Sequence, residues 1–365
     1  MSLLMNDKLG SSGKALVSDE SLSNVIEPSV LANRLKDKKI VFFTGAGFSM
    51  AWDASYPSGY KLFYIDDIED VKQKYNFFKV APLLEIKEPD PESNKYEEEC
   101  LDFFKEIKFH LDIYRRYPSL IPSYLDKTIV NKLENEIRDF IKMRFQTLVG
   151  PSEFDISSTA KVNVKIKGII QRLLNNNKSL SFITTNYDFI IEKILNDSDI
   201  HLVRGVIDLN AFRKTTLTRE KKRVSLFKIN GGFDVFKGND GFYIDHAKSL
   251  TESPNIILPS QEQNYDDSYF KSVFMKAASK LRDADILIFV GYRLPPEDHT
   301  IRFLLKNFID SDERENKEVF IVSRTKESAL SEMYPNFRQL FHTLAIDDGV
   351  KVLDGDIESL GQFVK

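Results

Sequence analysis

The clearest pattern along the chain is a set of short, unbroken apolar runs, each ending in small or polar residues. Ile40-Val41-Phe42-Phe43 stops at Thr44-Gly45-Ala46-Gly47, and Leu180 to Thr184 leads into Thr185-Asn186-Tyr187-Asp188. Val224 to Ile229 leads into Asn230-Gly231-Gly232, Ile286 to Val290 into Gly291-Tyr292-Arg293, and Val319 to Val322 into Ser323-Arg324. A strand covered on both faces reads as a continuous apolar run, which is the mark of a parallel sheet. Helical spacing separates the runs. Leu101, Phe104, Ile107 and Leu111 share one face, as do Leu133, Ile137 and Ile141, and later Ile166, Ile169 and Leu173. The expected architecture is therefore α/β, a doubly wound (Rossmann-like), mostly parallel sheet with a helical insertion at about 63–178. The polar stretch Lys87 to Glu99 is expected to be an exposed loop within that insertion. Residues 1–27 carry no sustained apolar period and read as a flexible arm, with order beginning near Pro28 in a short helix. Residues 28–365 then form the main domain, closed by a strand at Lys351-Val352-Leu353 and a helix carrying Ile357, Leu360 and Phe363.

Composition narrows the function classes. With 365 residues, 42% of them hydrophobic, and 28 Phe and 14 Tyr, the chain can bury a large core and a sizeable pocket. A net charge of −4 gives no global reason to bind nucleic acid or an anionic membrane. The basic cluster Arg213-Lys214 and Arg219 to Arg223 reads as a solvated loop. Cys100 is the only cysteine, which excludes intramolecular disulfides and a four-cysteine zinc site and fits a reducing, cytoplasmic setting. No run approaches the roughly 20 apolar residues that a spanning helix needs.

In an open parallel sheet, ligands bind outside the carboxyl ends of the strands, so the five polar run-ends are expected to line one rim. Gly45 and Gly47 permit close approach of a pyrophosphate to backbone and helix N-terminus, although a tight turn without ligand needs the same residues. A dehydrogenase fingerprint would want a third glycine where Met50 stands, with Asp66 or Asp67 on a ribose. Asn186 and Asp188 are either ligand groups or simple helix caps. Asn230-Gly231 is either a pocket wall or a hairpin turn. His201, His246 and His299 are the histidines nearest the candidate loops, each more often a surface or packing residue, with His299 ranked first as a base.

Taken together and in this order, the motifs resemble the sirtuin family, in its divergent bacterial branch associated with antiphage defence. Gly45-Ala46-Gly47-Phe48-Ser49 is similar to the family's glycine-alanine-glycine-x-serine loop, and Pro57-Ser58-Gly59 to a degraded form of its downstream turn. Thr185-Asn186-Tyr187-Asp188 is similar to the motif that holds the nicotinamide ribose. Pro259-Ser260 and Gly291-Tyr292-Arg293 resemble the adenosine-side elements, with Ser323 where the family often has asparagine. The likeness spans roughly 40–324 without the insertion. It implies NAD as ligand or substrate, with Gly45, Ala46, Gly47, Phe48, Ser49, Thr185, Gly291, Tyr292, Arg293 and Ser323 as binding residues.

Two departures change the implied chemistry. The zinc ribbon of the deacylases is missing, so no zinc is expected, and the family's histidine-glycine pair is replaced in Lys228-Ile229-Asn230-Gly231. An amide is no general base, a role worth roughly 10²–10⁴ in rate, so deacylation is disfavoured. Release of neutral nicotinamide needs no leaving-group protonation, and Asn186, Asp188 and Asn230 remain as candidate catalytic groups. The expected activity is NAD hydrolysis to nicotinamide and ADP-ribose by a defence effector. Restraint would come from homo-oligomeric assembly or a DNA-translocating ATPase partner. The alternative is a non-catalytic NAD or ADP-ribose sensor.

Overall fold

The apolar runs form one sheet of eight strands in which every pairing is parallel. The computed structural model describes residues 24–364 apart from 198, 209–221, 240, 259–264, 297, 311–315 and 345–348. In chain order the strands are β1 (Val25–Ile26), β2 (Lys39–Thr44), β3 (Ser179–Thr184), β4 (Ile200–Val203), β5 (Ile207–Asp208), β6 (Lys222–Lys228), β7 (Val235–Gly238), β8 (Gly241–Ile244), β9 (Ile286–Val290), β10 (Glu318–Val322) and β11 (Val350–Leu353). The main sheet runs β1-β11-β10-β9-β2-β3-β6-β4, and β5, β8 and β7 make a small second sheet. The order reverses beside β2: β3, β6 and β4 lie to one side, and β9, β10 and β11 to the other. The switch point therefore lies at the carboxyl ends of β2 and β9, beside which a ligand crevice is expected.

Both faces of the sheet are covered, which is why the strands read as unbroken apolar runs. Ile40 and Phe42 face one buried cluster while Val41 and Phe43 face another, and Ile288 and Phe289 divide in the same way. The expected arm is shorter than 1–27, because Val25 and Ile26 pair with Val352 and Leu353 at the sheet edge. Two residues are too few to show a period, so the pattern alone gives no sign of that strand. Residues 1–23 lie outside the described residues, as do Pro259-Ser260 and most of the basic cluster, of which Lys222 and Arg223 are exposed on β6.

The segment between β2 and β3 is helical, as its spacing predicts, and its two long helices are Tyr96–Arg116 and Lys127–Val149. Asp126 caps the second, its carboxylate accepting the Ile129 N–H at 2.8 Å. The polar loop ends sooner than expected, since Tyr96 to Glu99 already belong to the first long helix and Tyr96 is buried. The insertion has no core of its own, since Phe77, Phe103, Phe104 and Phe140 belong to the same buried cluster as Phe42 of β2. The helix Val164–Asn176 also joins that cluster through Ile166, Ile169 and Leu173, and it packs against β3. Aromatic contacts dock the insertion onto the strand-end loops: Phe145 meets Phe233 at 4.9 Å, and Phe154 meets Phe189 at 5.8 Å. Among the described residues no helix is long and apolar enough to cross a membrane, and no group of three or more His, Cys, Asp or Glu is placed to hold a metal ion.

Candidate functional site

The glycines after β2 and β9 are used against each other. Gly45 N–H donates to Val290 O at 3.1 Å and Gly47 N–H to Gly291 O at 3.0 Å. A Cβ on Gly47 would fall 2.6 Å from Gly291 Cα, and one on Gly291, whose φ is +65°, would overlap the Gly47 backbone. Only residues without side chains allow the two loops to touch here, at the point where the strand order reverses. The helix Ala46–Trp52 follows at once, with Gly45 as its extended first residue.

That contact sets the position of Ser49, and a compact polar network grows from it. Asn186 Nδ2 donates to Gly45 O at 2.9 Å and to Ser49 Oγ at 2.8 Å, while Ser49 Oγ donates to Asp188 Oδ2 at 2.5 Å. The other Asp188 oxygen accepts the Ile190 N–H at 3.1 Å. Asp188 thus satisfies the first N–H of the helix Ile190–Ile194 from the position before its N-cap, Phe189, and also belongs to the network. Burial pushes the Asp188 carboxyl above its usual value, against the opposing hydrogen bond from Ser49 and the charge of Lys228.

The network borders a cavity of about 210 Å³. Its polar wall includes Ser49, Thr185, Asn186, Asp188 and Asn230, with Ala46 at the glycine loop. Its aromatic wall is made by Tyr56, Phe63, Phe145, Tyr187 and Tyr292, and Pro57-Ser58-Gly59 forms part of the rim. Tyr56 donates to buried Glu153, which also meets Lys193 at 2.9 Å, so a phenol on the cavity wall is anchored by a buried ion pair. Burial, then the charge of Asp188, raises the Tyr56 hydroxyl well above its usual range and keeps it a proton donor. Tyr292 donates to Asp298, which lines the opposite edge. Among the described residues of the lining the charged ones are Asp188 and Asp298, with no lysine, arginine or histidine.

Asn230 stands where β6 ends, and its Oδ1 accepts the Tyr265 hydroxyl at 3.0 Å. The hairpin reading of Asn230-Gly231 is corrected: β6 pairs with β3 and β4, and Gly231, at φ +80°, bridges to Ile256. A buried set of charges lies behind the wall. Arg204 meets Asp234 at 2.9 and 3.2 Å and Glu192 at 2.7 Å, and Lys228 meets Glu192 at 2.8 Å. Lys228 also donates to the carbonyls of Tyr187 and Asp188, tying this set to the cavity loop. Burial opposes its charge, but Arg204, Lys228 and His246 hold the Asp234 carboxyl well below its usual value.

Several sequence candidates stand apart from the lining. Phe48 is turned into the core from the first turn of its helix, at 1% exposure. Arg293 is exposed and lies 3.9 Å from Glu332, and Ser323 is absent from the lining. Gly45, Gly47 and Gly291 build the loop junction beneath it. His299 is exposed at a helix start, His201 lies on the edge strand β4, and His246 is 3.1 Å from Asp234. The dehydrogenase reading loses its acid, since Asp67 caps the helix Ile68–Lys74 and Asp66 pairs with Arg144. The sequence pattern alone gives no sign that Asp298 or the aromatics Tyr56, Phe63 and Phe145 line a cavity. Their signal is tertiary, because aromatic residues of the insertion look like core until the fold brings them over the sheet.

Residues 180–346 match the family model described as SIR2-like domain. Comparison with curated proteins finds no match. Among solved structures, a Sir2 homologue in complex with NAD shares 11% identity, with 92% of this chain and 93% of that one covered at a TM-score of 0.42. Sir2Tm bound to a propionylated peptide shares 11%, covering 92% and 95%, at 0.39. A third, from a study of the mechanism and regulation of Sir2 enzymes, shares 13%, covering 92% and 95%, at 0.37. Over 180–346, the stretch that begins in β3 and supplies Thr185, Asn186, Asp188, Asn230 and Tyr292, the chain is similar to SIR2-like domains.

Proposed function

We propose that the cavity receives the nicotinamide riboside end of NAD and that the protein hydrolyses the bond between nicotinamide and ribose. The observation that carries this reading is the character of the lining at the sheet's switch point: among the described residues, aromatic walls and two carboxylates with no cation. Nicotinamide in NAD is a pyridinium, and the sugar becomes more cationic as the bond breaks. Aromatic faces and carboxylates favour such charges. At about 210 Å³ the cavity is smaller than the roughly 300–1,000 Å³ of a site that encloses a whole ligand. It therefore suits one end of a dinucleotide, with the pyrophosphate running along the edge near Gly45 to Gly47.

In this reading Asn186 and Thr185 orient the ribose, and Asp188, through Ser49, stabilises positive charge at C1′. The bond electrons leave with the ring nitrogen, giving neutral nicotinamide. Water adds to C1′ and loses its proton to solvent or to a carboxylate. Asn230 supplies an amide hydrogen bond and no base. Use of the activity in antiviral defence, and its release by homo-oligomeric assembly or by a DNA-translocating ATPase, belong to the same proposal, as does a cytoplasmic setting.

The test is chromatographic measurement of nicotinamide and ADP-ribose after incubation with NAD, for the protein alone, at assembling concentrations, and with the protein encoded beside it. Equimolar release of both products supports the reading, and intact NAD in all three opposes it. The sensor alternative is favoured by Asn230, whose amide stands in place of a base; saturable NAD binding by calorimetry without products would establish it.

The raised Asp188 carboxyl gives a pH prediction. If the ionised form works, activity falls with acid at a pH above the ordinary carboxylate value of about 3.9. Asp188→Asn removes that limb. Stability moves the other way: a carboxyl with a raised folded-state value contributes most below its unfolded value and loses that contribution as pH rises through the folded one. Paired rate and unfolding profiles check both signs.

A further inference from the structure

A second and larger cavity, about 750 Å³, lies between the two long helices of the insertion and the segment that follows the small sheet. Its volume is within the roughly 300–1,000 Å³ of small-molecule sites. Lys108, Arg115 and Arg138 converge at one end on a single buried carboxylate, Glu134: Lys108 at 3.9 Å, Arg138 at 2.8 Å, and Arg115 in a close pair. Lys108 pairs also with Asp112, so three cations and two carboxylates meet at this end. Of the other acids in the lining, Asp267 lies 3.5 Å from Lys237 and its charge also favours Arg115 and Arg138, Glu252 lies 2.8 Å from Lys248, and Asp266 is exposed.

Two buried donors in this lining have no hydrogen-bond partner, Arg138 Nε and Asn255 Nδ2. Buried polar groups are nearly always paired, so orphaned donors beside three converging cations call for an acceptor supplied from outside. The cations themselves are strained by burial, which draws the Lys108 ammonium down to about 8 and the Arg138 guanidinium to about 10. An anion would relieve that cost, and paired guanidinium groups match phosphate oxygens.

The geometry points to a second ligand site here, for a small polyanion of the kind presented by the phosphate chain of a nucleotide. It is separate from the aromatic cavity but shares a wall with it. Asn255, Ile256 and Ile257 line the larger cavity, while Ile257 N–H donates to Asn230 O at 2.8 Å and Ile257 O accepts the Tyr187 hydroxyl at 2.6 Å. The site does not depend on what the aromatic cavity binds.

Calorimetric titration of the full chain with sodium tripolyphosphate tests it, with Arg115→Gln, Arg138→Lys and Asn186→Ala as variants. Arg138→Lys keeps a cation beside Glu134 while removing Nε, so it remains informative if Arg115→Gln fails to fold. Expected are saturable binding by wild type, weakening with added salt, affinity reduced about tenfold or more in the arginine variants, and unchanged affinity in Asn186→Ala. No saturable binding, wild-type affinity in a folded Arg138→Lys, or loss in Asn186→Ala instead would each overturn the proposal.

Discussion

Replacing Asn186 by Ala is expected to lower the rate of the proposed nicotinamide release by about 10²–10³-fold, the typical loss when one preorganised electrostatic group is removed. A single amide nitrogen joins the glycine loop, through Gly45 O, to the Ser49–Asp188 pair. Without it, Ser49 answers only to Asp188, and Gly45 O loses its side-chain tie to the loop that follows β3. Because the nitrogen is committed inside the protein, contact with a ribose falls to the amide oxygen. The loss should appear in kcat and kcat/KM alike, since the group acts on the transition state more than on the bound substrate. Ser49→Ala combined with Asn186→Ala should cost little more than either alone, as members of one network are not additive. Additive losses would mean that the three residues do not act as a unit.

Arg204→Met is expected to destabilise the fold by about 3–5 kcal/mol, the usual cost of removing one partner from a buried ion pair. Arg204 serves two carboxylates, Asp234 and Glu192, both nearly inaccessible to solvent. Its loss leaves Lys228 alone among permanent charges to balance both, drawing its ammonium away from the Tyr187 and Asp188 carbonyls. The damage should therefore reach the cavity loop from behind. Denaturant unfolding of the variant checks the magnitude, and Arg293→Ala, exposed and 3.9 Å from its partner, is the control, with a change within about 0.5 kcal/mol. The depressed Asp234 value adds a sign: its contribution is present above the unfolded carboxylate range and disappears as pH falls through the folded value. Wild type should lose more stability than Arg204→Met on acidification.

The sequence was most legible where burial is complete. β2, β3, β9 and β10 are covered on both faces, so their runs are unbroken and their ends sharp, and the loops after β2, β3 and β9 hold Ser49, Thr185, Asn186, Asp188 and Tyr292. The edge strands β1 and β4 and the small sheet of β5, β7 and β8 are too short or too mixed to show a period. Phe48 and Arg293 illustrate the limit of motif reading: each adjoins a residue that lines the cavity or its supporting junction, yet one side chain turns into the core and the other into solvent. Tyr56, Phe63 and Phe145 illustrate the opposite case. They come from helical segments and their flanks with no local mark of function, and they reach the cavity only because the insertion packs over the sheet. The glycine spacing predicts a place for phosphate to approach; in the fold it first allows Gly47 and Gly291 to meet.

The account stands on one claim, that the cavity between the Gly45–Ser49 loop and the Thr185–Asp188 loop takes the ribose next to nicotinamide. Its most direct test is a crystal structure of the full chain grown with ADP-ribose. The predicted result is a distal ribose within hydrogen-bond distance of Asn186 or Thr185, with the pyrophosphate beside Gly45 to Gly47. Nucleotide bound on another surface, with this cavity unchanged, would contradict it.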